Sequence, residues 1–242
     1  MTNNSNKTLV LYVFHQYNDR VQHFIDKCIF YDEKIDFLII INSLEIDIKV
    51  PEYVKILKRE NIGYDFGGWS DGLLNNDLYK NYGYFIFVNS SVIGPYLPVD
   101  YKCKWTDIFL DGLTNDIKLF GCTINTIFTP HYAHVQSYLF SMNYGTLAYL
   151  IKSEIFSKNY VKTFYDAIWL KEVHMSRKII ENGWNIGCLM NHYKGCDFRR
   201  YLNVAYLGDM MFNEHFKMNS LTFEEVVFIK GNRDIIINKN EL

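Results

Sequence analysis

The chain has 242 residues, 49% hydrophobic and 21% charged, and a formal net charge of -2. That length and balance suit one α/β domain with a sizeable core and exclude a disordered chain. The near-neutral charge excludes a global basic field for nucleic acid, and the apolar runs are too short to cross a bilayer.

In chain order, TLVLYVF (8–14) reads as a buried strand, rich in β-branched and aromatic residues. The stretch 19–31 follows, with Val21, Phe24, Ile25 and Cys28 at helical spacing. FLIII (37–41) reads as a second buried strand and VKILKRE (54–60) as a third with charges at its end. A glycine-rich stretch, RENIGYDFGGWSDGL (59–73), precedes a short helix predicted over 69–78, and YFIFV (84–88) is a strand almost without polar content. This alternation predicts a mostly parallel sheet, whose ligand crevice lies beyond the carboxyl ends of its strands. Residues 105–113 read as a helix capped near Lys104 or Thr106, 117–125 and 134–142 as strands, and 144–152 as a helix. The longest helix is predicted over 161–182, ended by Gly183, followed by a strand over 185–190. The tail FEEVVFIKGNR (223–233) is expected to add a strand or to pack under the sheet.

The amino terminus MTNNSNK has no apolar signal core, so a cytoplasmic protein is the simplest expectation. Five cysteines without a CxxC pair indicate neither a zinc ribbon nor a disulfide framework. The 17% aromatic share predicts a well-packed core or an aromatic-lined cleft.

Four places carry groups able to do chemistry. In NIGYDFGG, glycines 63, 67 and 68 permit close backbone approach or positive φ, and Asn61 and Asp65 offer polar contacts to a ribose or base. The spacing is neither a dinucleotide fingerprint nor a P-loop, and a tight turn whose Asp65 caps the next helix explains it equally well. After FIFV, Asn89, Ser90 and Ser91 are placed to hold a phosphate or to complete a metal shell. They contain no carboxylate, which Mg²⁺ and Mn²⁺ favour, and a plain strand-ending turn is the competing explanation. His134 and Gln136 alternate with Val135 and would share one strand face, as cleft residues or as satisfied core groups. Glu172 stands at the margin of a helix face formed by Trp169, Val173, Ser176 and Ile180. It is a general-base candidate if its surroundings raise its pKa, and otherwise a solvated helix glutamate.

Taken in order, NIGYDFGGW, YFIFVNSSVIGPYLP, KLFGCTIN, HVQS, KEVHMS and EVVFIKGNR resemble a family of nucleotide-sugar glycosyltransferases. These are the rhamnan-synthesis F group and the amino-terminal glycosyltransferase domain of a large chlorella-virus protein. The resemblance covers Leu9 to Arg233. It implies a GT-A fold, with a nucleotide-binding half over about residues 8–100 and an acceptor-binding half with a C-terminal extension over about residues 101–242. It implies a sugar nucleotide as donor, a UDP-sugar first, a glycan hydroxyl as acceptor, and inversion with Glu172 as base. Asn61 and Gly63 match an Asn-x-Gly loop near the nucleotide, with Asp65 and Gly67 just beyond. Tyr64 or Phe66 is expected to cover the base, and His15, after the first strand, is a further donor-side candidate. His134, Gln136 and Ser137 match a segment on the acceptor side. The usual Asp-x-Asp is replaced by Asn89-Ser90-Ser91, so a divalent Mn²⁺ or Mg²⁺ would rest on the diphosphate with Ser91 and His192. Lys194, Arg199 and Arg200, after the last strand, are placed to supply charge to the leaving phosphate, and a solvated basic loop explains them equally well. A sugar- or nucleotide-binding module without catalysis, a retaining transferase and an interaction protein on the same fold are the rival classes; the oligomeric state stays open.

Overall fold

A computed structural model describes residues 5–127, 130–201 and 204–233. The amino-terminal tetrapeptide and residues 234–242 of the expected C-terminal extension lie outside the described residues.

The chain opens with β1 (Thr8–Phe14), buried along its whole length. Helix α1 (Asp19–Cys28) follows, its first turn closed by the Asn18 side chain, which accepts from the backbone of Arg20 and Val21. A side-chain cap of this kind contributes about 1 kcal/mol. β2 (Ile35–Ile41) and the short β3 (Lys55–Lys58) pair parallel in turn, and β3 is the sheet edge. The lysines at both ends of β3 blunt that edge.

Helix α2 (Tyr64–Leu74) begins five residues earlier than the sequence predicts, so Tyr64, Asp65 and Gly67 belong to its first turn and not to a loop. It starts from Gly63 at φ 74, a left-handed conformation that glycine adopts without strain. Its glycines lie against the sheet. A Cβ at Gly68 would meet Val13 Cγ2 at 2.7 Å, and one at Gly72 would meet Ile40 Cδ1 at 2.8 Å. Trp69, between them, is fully buried against Phe66, Phe87 and Phe140. Burial of one such aromatic contributes about 1.5–3 kcal/mol.

β4 (Tyr84–Asn89) returns to the sheet centre beside β1, and β5 (Val92–Ile93) leaves its end. Then come α3 (Trp105–Asp111), β6 (Ile117–Gly121), β7 (Ile124–Asn125), β8 (His134–Val135), β9 (Leu139–Asn143) and α4 (Tyr144–Lys152). The two longer strands predicted over 117–125 and 134–142 are each divided. β7 and β8 form their own two-stranded ribbon, and β6 and β9 enter the main sheet. The predicted long helix starts at Phe164, capped by Thr163, and runs through α5 (Phe164–Asp166), a π-helical segment (Ala167–Val173) and α6 (His174–Glu181). Strand β10 (Asn185–Cys188), then α7 (Asn213–Met218), α8 (Phe223–Val226) and β11 (Ile229–Lys230) complete the described elements.

The seven-stranded sheet has the order β10-β6-β9-β4-β1-β2-β3. It is mixed, which corrects the mostly parallel expectation: β9 runs antiparallel to both β4 and β6. The β7–β8 ribbon reverses the chain before β9, so β9 enters between its neighbours from the opposite end. The tail does what both sequence alternatives required. β11 pairs antiparallel with β5, while Phe228 packs on Trp105 and Phe109.

Candidate active site

The site forms where the carboxyl ends of β1 and β4 meet the first turn of α2, the turn between β8 and β9, and the π-helical segment. Asn89 closes β4, and its backbone N–H donates to the Tyr138 carbonyl at 3.0 Å. Its side-chain amide donates to Asp65 Oδ2 at 2.9 Å, while its Oδ1 accepts from the Ser91 N–H at 3.0 Å and the Ser91 hydroxyl at 2.6 Å. Ser90 is held by its backbone: its N–H donates to Val13, and its carbonyl accepts from Arg20 Nε at 3.1 Å. His15 follows β1 and is exposed.

Glu172 projects from the π-helical segment. The wide turn breaks the 3.6-residue register on which the predicted face of Trp169, Val173, Ser176 and Ile180 depended, and such turns recur at functional sites. The Ser137 hydroxyl donates to Glu172 Oε2 at 2.5 Å, and His134 Nε2 lies 3.4 Å from Oε1. His134 Nδ1 stands 2.6 Å from the Tyr132 carbonyl, so both ring nitrogens face oxygen acceptors. Ser176, a turn further on, accepts the Val135 N–H at 3.0 Å and fixes the ribbon against the helix.

The two carboxylates are pushed apart in pKa. Burial raises Asp65, Glu172 adds to the rise, and the Asn89 hydrogen bond and Lys230 charge only partly oppose it; the result is about 6. Burial also acts to raise Glu172. There, however, the hydrogen bond and charge of His134, with Lys230 and Ser137, win and hold it at about 2. The expectation of a base tuned upward therefore does not describe Glu172, because its pocket is built of donors and positive charge.

Ser137 and His134 join Glu172, but Gln136 does not. Its amide donates to Asp209 Oδ1 at 3.0 Å and its Oε1 accepts from Thr123. β8 ends at Val135, so the alternation that would have put His134 and Gln136 on one face stops there. Gln136 is a satisfied core group.

A separate cavity of about 510 Å³ opens at the start of α2, with Asn61, Gly63 and Tyr64 on one side and Tyr160, Val161 and Lys162 on the other. Two of its lining residues, Ile62 and Tyr160, belong to a network that the sequence pattern does not reveal. Arg59 pairs with Asp71 at 2.6 Å and donates to Asn42 Oδ1 and the Ile62 carbonyl, while Tyr160 donates to Asp71 at 2.6 Å. Gly67 is buried in this network: a Cβ there would stand 2.2 Å from the Ile62 carbonyl. It serves the turn and the packing. Phe66 is buried against Trp69 and Phe156, so of the two expected rings only Tyr64 stands at the cavity.

The expected metal pair, Ser91 and His192, follows strands that are not neighbours in the sheet. His192 is exposed after β10, and β6 and β9 lie between β10 and β4, where Ser91 follows. Three strand spacings make about 14 Å. Among the described residues no group of three or more His, Cys, Asp or Glu side chains could hold a metal ion. Asn89 Oδ1 is already committed to Ser91. The described residues do not fit a metal held by the protein. Arg199 is taken by Asp116 and Asp197, and Lys194 and Arg200 are exposed in the same distant loop.

With this geometry in view, the chain matches the family described as rhamnan synthesis protein F over residues 43–222. The matched range includes α2, Asn89–Ser91, the β7–β8 ribbon and Glu172. The chain belongs to that family. No curated protein matches it. No helix among the described residues is long and apolar enough to cross a membrane.

Proposed function

We propose that the protein is a glycosyltransferase of GT-A type. It moves a sugar from a nucleoside diphosphate, a UDP-sugar first, to a hydroxyl of a growing glycan, with inversion. Membership of a rhamnan-synthesis family supports sugar polymer chemistry. The observation that carries the reading is the largely buried Glu172 carboxylate, held by Ser137 and His134 and within electrostatic reach of Asp65 beside Asn89.

In this reading the base and ribose occupy the Asn61–Tyr64 cavity, and the diphosphate lies over Asn89–Ser91. His15 flanks the nucleotide. The donor half covers about residues 8–100 and the acceptor half the remainder. Glu172 is ionised at neutral pH. It accepts the acceptor proton as the new bond forms, when that hydroxyl has become strongly acidic, so a weak base suffices. His134 and Ser137 keep both carboxylate oxygens oriented. The expected loss for Glu172→Gln is about 10²–10⁴-fold in turnover, with nucleotide affinity unchanged. Parallel loss of both would argue against the base role.

A non-catalytic nucleotide-sugar or glycan binding module is the second reading, favoured by the missing Asp-x-Asp. A wild-type chain that binds a sugar nucleotide and never turns it over selects it.

A further inference from the structure

A departing diphosphate needs positive charge, and the basic loop after β10 leaves a strand three places from β4 in the sheet. A different cation reaches the site along the C-terminal strand. β11 pairs with β5, Lys230 opposite Val92, and the Gly231 N–H donates to the Ser91 carbonyl at 2.7 Å. These contacts fasten Lys230 to the loop that closes β4. Its Nζ lies 5.6 Å from the centre of the Tyr138 ring, and Tyr138 is the residue whose carbonyl holds Asn89. The ammonium is near enough for its charge to act on Asp65 and Glu172 together.

Arg20 approaches from the other side. Its Nε donates to the Ser90 carbonyl, and its stem lies over Gly231, where a Cβ would come within 3.0 Å of Arg20 Cδ. Among the described residues neither Lys230 nor Arg20 forms an ion pair. Two half-buried cations thus flank Ser90 and Ser91 without a paired carboxylate among the described residues.

We propose that Lys230, with Arg20, is the diphosphate site of this protein and supplies the charge that an Asp-x-Asp-bound metal would otherwise supply. The proposal rests on the transferase reading above. In the step it serves, the bond from the anomeric carbon to the diphosphate oxygen breaks, and its electron pair stays on that oxygen. The acceptor oxygen bonds to the anomeric carbon and its proton passes to Glu172. The nucleoside diphosphate leaves with one more negative charge, next to the two cations.

The test is calorimetry in EDTA with UDP, GDP and dTDP, and with uridine, guanosine and thymidine, on the wild type, Lys230→Gln, Lys230→Arg and Arg20→Gln. The expected result is diphosphate binding without metal, weakened about 10- to 100-fold in Lys230→Gln and largely kept in Lys230→Arg. Nucleoside affinity, unchanged in all variants, reports an intact fold. Equal diphosphate affinity in wild type and Lys230→Gln overturns the Lys230 assignment and leaves the transferase reading standing. So does binding that vanishes in EDTA and returns with Mn²⁺. A wild type that binds no nucleotide and transfers no sugar overturns the transferase reading, and the Lys230 assignment with it.

Discussion

Replacing Glu172 by Gln should flatten one limb of the stability–pH profile. The carboxylate sits at about 2 where 4.5 is ordinary. Burial pushes it upward, but His134, Lys230 and Ser137 together outweigh burial. A folded-state pKa below the unfolded one means that the unfolded chain binds the proton first as pH falls. The contribution is therefore fully present above pH 4.5 and is lost as pH falls towards 2. At 1.36 kcal/mol per pH unit it amounts to about 3 kcal/mol. The side chain is only 14% exposed, so solvent screening removes little of this. More than half of the loss falls below pH 3.8, where Asp65 is protonated in the folded chain and mostly so in the unfolded one. Urea unfolding at a series of pH values from 7 to 2.5 measures it. The wild type should lose about 1.5 kcal/mol more than Glu172→Gln between pH 3.8 and 2.5. Parallel losses across that window would refute the idea that His134 and Ser137 hold an ionised carboxylate.

Asp65→Asn should alter the opposite limb. Burial raises Asp65 from 3.8 to about 6, so its contribution is present below pH 3.8 and lost as pH rises through 6; melting temperatures between pH 4 and 7 should show that fall in the wild type and not in the variant. Arg59→Met strands Asp71, which is 15% exposed and held at 2.6 Å, and should cost about 3–5 kcal/mol in chemical denaturation. Pairing it with Asp71→Leu should recover much of that loss, and a double variant no better than the single one would show that Asn42 and Ile62 dominate the Arg59 contacts.

Much of the fold was legible because its signals were local. β1, β2 and β4 are each built around an unbroken, buried apolar run, and α1 and α4 appear where spacing places them. The direction of β9 was not legible, since no periodicity states which way a strand runs. Nor was the early start of α2: its glycines read as ligand-loop residues, yet Gly68 and Gly72 are where the helix backbone touches β1 and β2. The same residue type serves both purposes, and only the neighbouring atoms separate them. Gln136 misled for a related reason: a polar residue in an apolar segment signals that a partner exists, and its partner is Asp209.

The site divides along the same line. Glu172, His134 and Ser137 are separated by 35 to 38 positions in sequence, and a family pattern was needed to group them; the contacts then hold them as one unit. Lys230 left almost no mark, as a single lysine after four apolar residues near the end of the described chain. Its importance comes from pairing register: β11 opposite β5 places the lysine beside Val92, and shifting that register by one residue would turn its side chain to the other face. Where a metal is the usual source of charge, its ligands leave a motif that can be read. Where a side chain replaces it, one residue from any strand suffices, and its position is written in the pairing. The absence of Asp-x-Asp is therefore weak grounds for lost catalysis, provided a cation without a paired carboxylate stands at the same strand end.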